Sequence, residues 1–87
     1  MNTFLLTIAT PDGSMFADQA VGLFVRGAEG DLAVLAGHVP FVTTVKPGVC
    51  RVEVEIGPER RGRCDGGILT VSAEGTTLLA GTFVWDE

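Results

Sequence analysis

The sequence predicts an all-β fold, a small antiparallel β-sandwich or flattened barrel of about ten short strands. Three observations predict it. Twelve glycines and four prolines are spread along the 87 residues, and no interval between them holds an ordinary helix of about 11–12 residues. Several intervals alternate apolar and polar residues with period two, which gives a strand one apolar face. The intervals are divided by stretches with turn chemistry, such as Pro11-Asp12-Gly13 and Pro47-Gly48. One domain is expected over residues 1–87.

Thr3 to Ala9 reads as the first strand, with Phe4, Leu6 and Ile8 on one side. Pro11-Asp12-Gly13 turns the chain, because Pro presets φ, Asp caps and Gly takes the left-handed position. Met15-Phe16 begins the return. Ala20 to Arg26 alternates, with Val21, Leu23 and Val25 on one face and Gly22, Phe24 and Arg26 on the other. Phe24 hints that this second face is not wholly wet. Gly27 and Gly30 bracket a tight turn, Ala28-Glu29, and Asp31 to Ala36 is a short apolar strand. Gly37-His38-Val39-Pro40 is a second corner, after which Phe41 to Lys46 alternates again.

Val49 to Ile56 is the clearest alternation. Cys50, Val52, Val54 and Ile56 are expected inward, and Arg51, Glu53 and Glu55 outward. A five-residue loop, Gly57 to Arg61, leads into Gly62 to Asp65. This hairpin sets Val54 opposite Cys64 and Glu55 opposite Arg63, matching apolar with apolar and acid with base. Gly66-Gly67 marks a bulge or a close backbone approach. Ile68 to Val71, Thr76 to Ala80 and Thr82 to Trp85 complete the strands, with Ser72-Ala73-Glu74-Gly75 as a turn.

Composition excludes several classes of function. The net charge is −5 and the pI about 4.6, and no basic stripe offers a surface to nucleic acid. Arg60, Arg61 and Arg63 form the one basic cluster and are expected in a solvated loop with local partners. No apolar run approaches the ~20 residues of a spanning helix, so no direct membrane insertion is expected. Apolar residues make up 46%, which implies either an efficient two-layer core, the reading preferred, or a sticky face meant for a partner, which is compatible with it.

Candidate chemistry is thin. In the hairpin above, Cys50 lies about 13 Å along the strand from the position opposite Cys64, too far for a disulfide. Both cysteines are therefore expected as small buried residues of a protein from a reducing compartment. One histidine and two cysteines, without C-x-x-C or H-x-x-x-H spacing, make a poor metal set. A nucleophilic set of Cys64, His38 and Asp65 is disfavoured, because neighbouring strand residues point to opposite faces. Gly66-Gly67 lacks the Lys-Ser/Thr of a phosphate loop. No catalytic, cofactor-binding or metal-ligating residue is assigned.

The stretch Gly27-Ala28-Glu29-Gly30-Asp31-Leu32-Ala33-Val34-Leu35-Ala36-Gly37-His38-Val39-Pro40, followed by Thr43-Thr44-Val45-Lys46-Pro47-Gly48, resembles the epsilon subunit of the F-type ATP synthase. That family carries a motif close to G-[AS]-E-G-[ED]-L-G-[IV]-L-P-G-H-[AV]-P and then T-x-[IVL]-K-P-G. Thr10-Pro11-Asp12-Gly13 with Phe16, Gly66-Gly67-Ile68-Leu69-Thr70-Val71 and Leu78-Leu79-Ala80 agree with it, so the resemblance covers essentially the whole chain. Ala36 stands where a proline is usual, Asp65 where a serine is common, and Gly81-Thr82-Phe83 where D-T-A is common.

The resemblance implies a non-catalytic rotor subunit that joins gamma to the membrane c-ring and couples proton flow to ATP synthesis. It places Thr10, His38, Val42 and Thr43 near gamma. It aims the turn Gly27, Ala28, Glu29, Gly30 and Asp31 at the c-ring. It implies a peripheral position on the cytoplasmic face of an energy-transducing membrane. Family members usually continue into two C-terminal helices that inhibit hydrolysis and in some members bind ATP. With the chain stopping at Trp85-Asp86-Glu87, no helical latch and no nucleotide are expected. The alternative is a free-standing β-sandwich binding module with a different partner.

Overall fold

Alternation and turn spacing together produce strands throughout the computed structural model, which describes residues 2–86. The ends of the expected span, Met1 and Glu87, lie outside the described residues. In chain order the strands are β1 (Phe4–Thr10), β2 (Gly13–Ala20), β3 (Gly22–Gly27), β4 (Gly30–Leu35), β5 (Phe41–Val45), β6 (Gly48–Glu53), β7 (Arg60–Cys64), β8 (Gly67–Ser72), β9 (Gly75–Ala80) and β10 (Phe83–Trp85). The all-β expectation holds.

The strands pair in the order β10-β7-β6-β3-β5-β8-β9-β1-β2, with β4 also on β3. The sheet folds where β3 meets β5. There the ladder shrinks to one pair, Gly27 with Val45, beside the Lys46 N–H on the Arg26 carbonyl at 2.8 Å. The two halves close on each other as the layers of a sandwich. Leu6, Ile8, Leu69 and Leu78 come from one layer and Leu23, Val52 and Cys50 from the other, all at most 1% exposed. Burying a side chain of leucine size is worth about 1.5–3 kcal/mol relative to leaving it in water.

One pairing departs from the antiparallel pattern. β1 lies parallel to β9, Leu6 beside Thr76 and Ile8 beside Leu78. This pair makes the first strand an interior strand of one layer, between β9 and β2. It leaves β2 and β10 as the two ends of the sheet, and Trp85 joins them. Its indole N–H donates to the Met15 carbonyl at 3.1 Å. Its ring lies 4.8 Å from Phe83 and 6.2 Å from Phe16, and the Arg60 guanidinium stacks over it at 4.0 Å. A pair of edges that would otherwise offer open backbone to other chains is held shut by side chains.

The expected hairpin register between β6 and β7 is corrected. Cys64 faces Gly48, Cys50 faces Gly62 and Val52 faces Arg60. The connecting loop therefore begins after Glu53 and is longer than expected. Ile56, expected inward, is 90% exposed. The three arginines stand on β7 rather than in a loop, although their local partners are present as expected. Gly66-Gly67 is a close approach. A Cβ on Gly67 would collide with the Leu79 carbonyl oxygen, and one on Gly66 (φ +100°) would lie 2.8 Å from that of Val45.

Candidate interaction surface

Strand pairing assembles an outer face that no single stretch announces. On β5, β8, β9, β1 and β2 the outward residues line up across the ladder. Thr44, Ile68, Leu79, Ala9 and Ser14 form one row, and Val42, Thr70, Thr77, Thr7 and Ala17 the next. Leu5 and Gln19 extend it. None of these outward residues is charged. Val42 is 68% exposed, Leu79 55%, Ile68 50% and Leu5 45%. A continuous sheet face of threonine, alanine and exposed aliphatics, without lysine or glutamate, shares with an interface core its depletion of charge.

The opposite layer is charged. Arg51 meets Glu59 at 2.7 Å, Arg61 meets Glu59 at 3.6 Å and Arg63 meets Asp86 at 3.7 Å. The Arg51 guanidinium also covers Phe24 at 4.6 Å, so the half-wet side expected around Phe24 is an aromatic ring under an arginine.

The residues singled out in the sequence fall around the neutral face. Val42 and Thr43 lie on β5, where Val42 pairs with Thr70 and points outward. Thr43 is half-buried, its hydroxyl on the Thr44 carbonyl at 3.4 Å. Thr10 closes β1 at one end of the face, and its Oγ1 accepts the Asp12 N–H at 3.1 Å. His38 sits at the β4–β5 corner, half-buried, with its ring 4.8 Å from Phe41 and Nδ1 2.9 Å from the Val39 carbonyl. It lines a shallow groove with Leu5, Gln19 and the Ser72–Gly75 turn.

The turn Gly27, Ala28, Glu29, Gly30 and Asp31 is the tip of the β3–β4 hairpin, where Gly27 pairs with Gly30 and Arg26 with Asp31. Glu29 and Asp31 are exposed. Gly30 takes φ +135°, a backbone that few side chains tolerate. Val42 and Thr43 share one groove with this turn, so the two groups of residues adjoin.

Sequence reading missed Leu5, Ile68 and Leu79. The available signal was the run of outward Thr, Ser and Ala in the same strands, but the rows appear only once β1 is set beside β9.

The disfavoured catalytic set is not assembled as a triad. Asp65 is exposed and accepts the Thr82 N–H at 2.9 Å, His38 bonds its own corner, and the buried Cys64 sulfur lies 3.4 Å from that of Cys50. The separation expected for the two cysteines is thereby corrected, since the true register sets them diagonally across β6 and β7. Both are free thiols. Among the described residues, no group of three or more His, Cys, Asp or Glu is placed to hold a metal ion. No helix among them is long and apolar enough to cross a membrane.

Comparison with known proteins agrees with this arrangement. The epsilon chain of the ATP synthase of Parvibaculum lavamentivorans is 36% identical over 73 residues, 84% of this chain and 55% of that protein. The epsilon chain of Mesorhizobium japonicum is 36% identical over 77 residues, 88% and 57%. The chain thus spans a little over half the length of these curated relatives. A chain in the cryo-EM structure of the Euglena gracilis mitochondrial ATP synthase, comprising OSCP, F1 and c-ring, superposes with a TM-score of 0.88 at 27% identity. It covers 95% of this chain and 53% of that one. A chain of the Tetrahymena thermophila central stalk and c-ring shares the fold, with a TM-score of 0.76 at 15% identity over 91% and 63%. The family described as ATP synthase, Delta/Epsilon chain, beta-sandwich domain matches residues 3–86, and the chain belongs to that family.

Proposed function

We propose that this domain is a non-catalytic rotor element of a proton-translocating ATP synthase. Its neutral face packs on the gamma subunit, and its Gly27–Asp31 turn faces the membrane c-ring. The observation that carries this reading is the uncharged outer face of β5, β8, β9, β1 and β2 in a member of the delta/epsilon family. Thr10, His38, Val42 and Thr43 border or belong to that face and are the residues assigned to gamma. Glu29 and Asp31 supply a charged tip suited to the polar loops of a membrane ring. Because Val42 and Thr43 adjoin the tip, one rigid body reaches both partners, which a joint that transmits torque requires.

The domain then works from the cytoplasmic face of the energy-transducing membrane, held there by its partners. Co-expression with the cognate gamma subunit, followed by size-exclusion chromatography at micromolar concentration, tests the reading. The expected result is a one-to-one complex. Separate elution from gamma, together with failure to bind an assembled gamma–c-ring complex, overturns it in favour of a free-standing binding module.

A further inference from the structure

The two cysteines form a chemical unit that a rotor role leaves unused. They stand on β6 and β7 two residues off direct opposition, and the residues directly opposite them are both glycines, Gly62 and Gly48. No opposing side chain separates the sulfurs, which lie 3.4 Å apart. A disulfide bond is about 2.05 Å long and needs Cα atoms within about 6.8 Å, whereas diagonal neighbours on an antiparallel pair sit about 7–8 Å apart, so closing the bond draws β6 and β7 toward each other at this diagonal. Both residues are in the core, Cys50 1% and Cys64 6% exposed.

The two sulfurs are not equivalent. The Cys50 thiol donates to the Cys64 sulfur, and the backbone amides of Gly66 and Gly48 also bond it. These donors favour the thiolate of Cys64 and hold its proton affinity below that of an ordinary thiol, although burial and the Asp65 charge work the other way. The same sulfur–sulfur contact, with burial, holds the proton on Cys50. The Gly66 backbone is fixed at φ +100° against the Val45 carbonyl. The site therefore presents two thiols in sulfur–sulfur contact, with the amide donors gathered on Cys64.

We propose that Cys50 and Cys64 are a peroxide-reactive pair that closes into a reversible disulfide joining β6 to β7. The Cys64 thiolate attacks one oxygen of hydrogen peroxide. The O–O bond breaks, Cys64 becomes a sulfenic acid, and the departing hydroxide takes a solvent proton to become water. The Cys50 sulfur then attacks the Cys64 sulfur. The S–O bond breaks, and the leaving hydroxide takes the Cys50 proton to become a second water. Two electrons pass from the sulfurs to the peroxide, and a thiol reductant returns them. An oxidant of two heavy atoms suits a buried sulfur where a bulky disulfide does not. The inference is independent of the rotor reading.

The test treats the whole chain with hydrogen peroxide at neutral pH, then denatures it, alkylates free thiols and reads the intact mass. The expected product is a monomer lighter by two hydrogens, closed to alkylation, with the Cys50 and Cys64 peptides joined and both thiols restored by dithiothreitol. Cys50→Ser is expected to stop at a sulfenic acid on Cys64 that dimedone traps. Cys64→Ser is expected to slow oxidation of the remaining thiol by about 10-fold or more. Two alkylatable thiols after treatment, over-oxidation to sulfinic or sulfonic acid without a cross-link, or a disulfide between two chains would each overturn the proposal. The wild-type reading stands without any variant having to fold.

Discussion

The two outer faces of this sandwich meet the same demand in opposite ways. Both belong to strands whose other face is core, and both are open on the outside. On β6 and β7 the open side is filled by Arg51, Arg61 and Arg63, each with an acidic partner within 4 Å. On β5, β8, β9, β1 and β2 the open side carries Thr, Ser, Ala and exposed aliphatics with no charge at all. Period-two alternation separates inside from outside equally well on both layers. It does not say which outside is meant to stay wet. That information lies in the composition of the outward rows, and a contiguous uncharged row is a surface awaiting a partner.

The largest effect is expected where the two layers are held together at their edges. Trp85 bridges β10 to β2 by its indole hydrogen bond, packs edge-on against Phe83 and tilted against Phe16, and lies under the Arg60 guanidinium. Trp85→Ala is expected to cost about 2–4 kcal/mol in urea unfolding, from lost packing and the lost cation–π contact. Trp85→Phe keeps a ring and loses the N–H, and is expected to cost about 1 kcal/mol. Equal losses for both variants would mean that the hydrogen bond alone closes the seam.

A lysine on the neutral face sharpens the comparison between faces. Leu79 is half exposed, so Leu79→Lys is expected to change stability by less than about 1 kcal/mol. In the proposed complex the same change would bury an unpaired charge against gamma, and it is expected to weaken that complex at least about 10-fold. Arg61→Ser, on the charged layer, is expected to leave gamma affinity within about twofold. Isothermal titration with gamma compares the two variants directly. Equal losses would erase the distinction between the faces.

Much of the fold is legible because turns and periods are local. The glycines at 27 and 30 mark the β3–β4 hairpin, and Leu6, Ile8, Leu23 and Val25 reach the core as their alternation demands. The β6–β7 register is not legible for a physical reason. A period-two pattern is unchanged by an even shift, so moving the partner of Cys64 from Val54 to Gly48 keeps Cys50, Val52 and Cys64 inward. Alternation also runs on through Val54 and Ile56 after the ladder has ended, and so exaggerates the strand. The neutral face fails for another reason. Ile68 and Leu79 pair within the β8–β9 hairpin, but Val42 reaches them through the non-local β5–β8 ladder and Ala9 through a parallel pairing of β1 with β9, and no local rule encodes either. The position of Thr10, Val42 and Thr43 relative to the hairpin tip likewise depends on that assembly.

Asp31 probes the border between the two faces. It stands opposite Arg26 on the exposed hairpin, so Asp31→Lys sets two like charges across the ladder and is expected to cost about 0.2–1 kcal/mol. In a pull-down with assembled c-ring it is expected to weaken engagement several-fold while leaving gamma binding intact. Loss of both together would show that the groove shared by Val42, Thr43 and the turn is a single contact.

The smallest effect belongs to the charged layer itself. Glu59 receives Arg51 at 2.7 Å and Arg61 at 3.6 Å, with its side chain 28% exposed. Two arginines on one carboxylate look substantial, but water screens them and the long side chains lose rotamer freedom. Glu59→Gln is therefore expected to cost only about 0.2–1 kcal/mol. The difference should shrink further when the urea titration is repeated at about 1 M salt, where the screening length falls to about 3 Å. A cost well above that range, insensitive to salt, would mean that the charged layer organises the long β6–β7 loop instead of merely keeping that side of the sandwich wet. The contrast between the faces would then rest on packing on both sides.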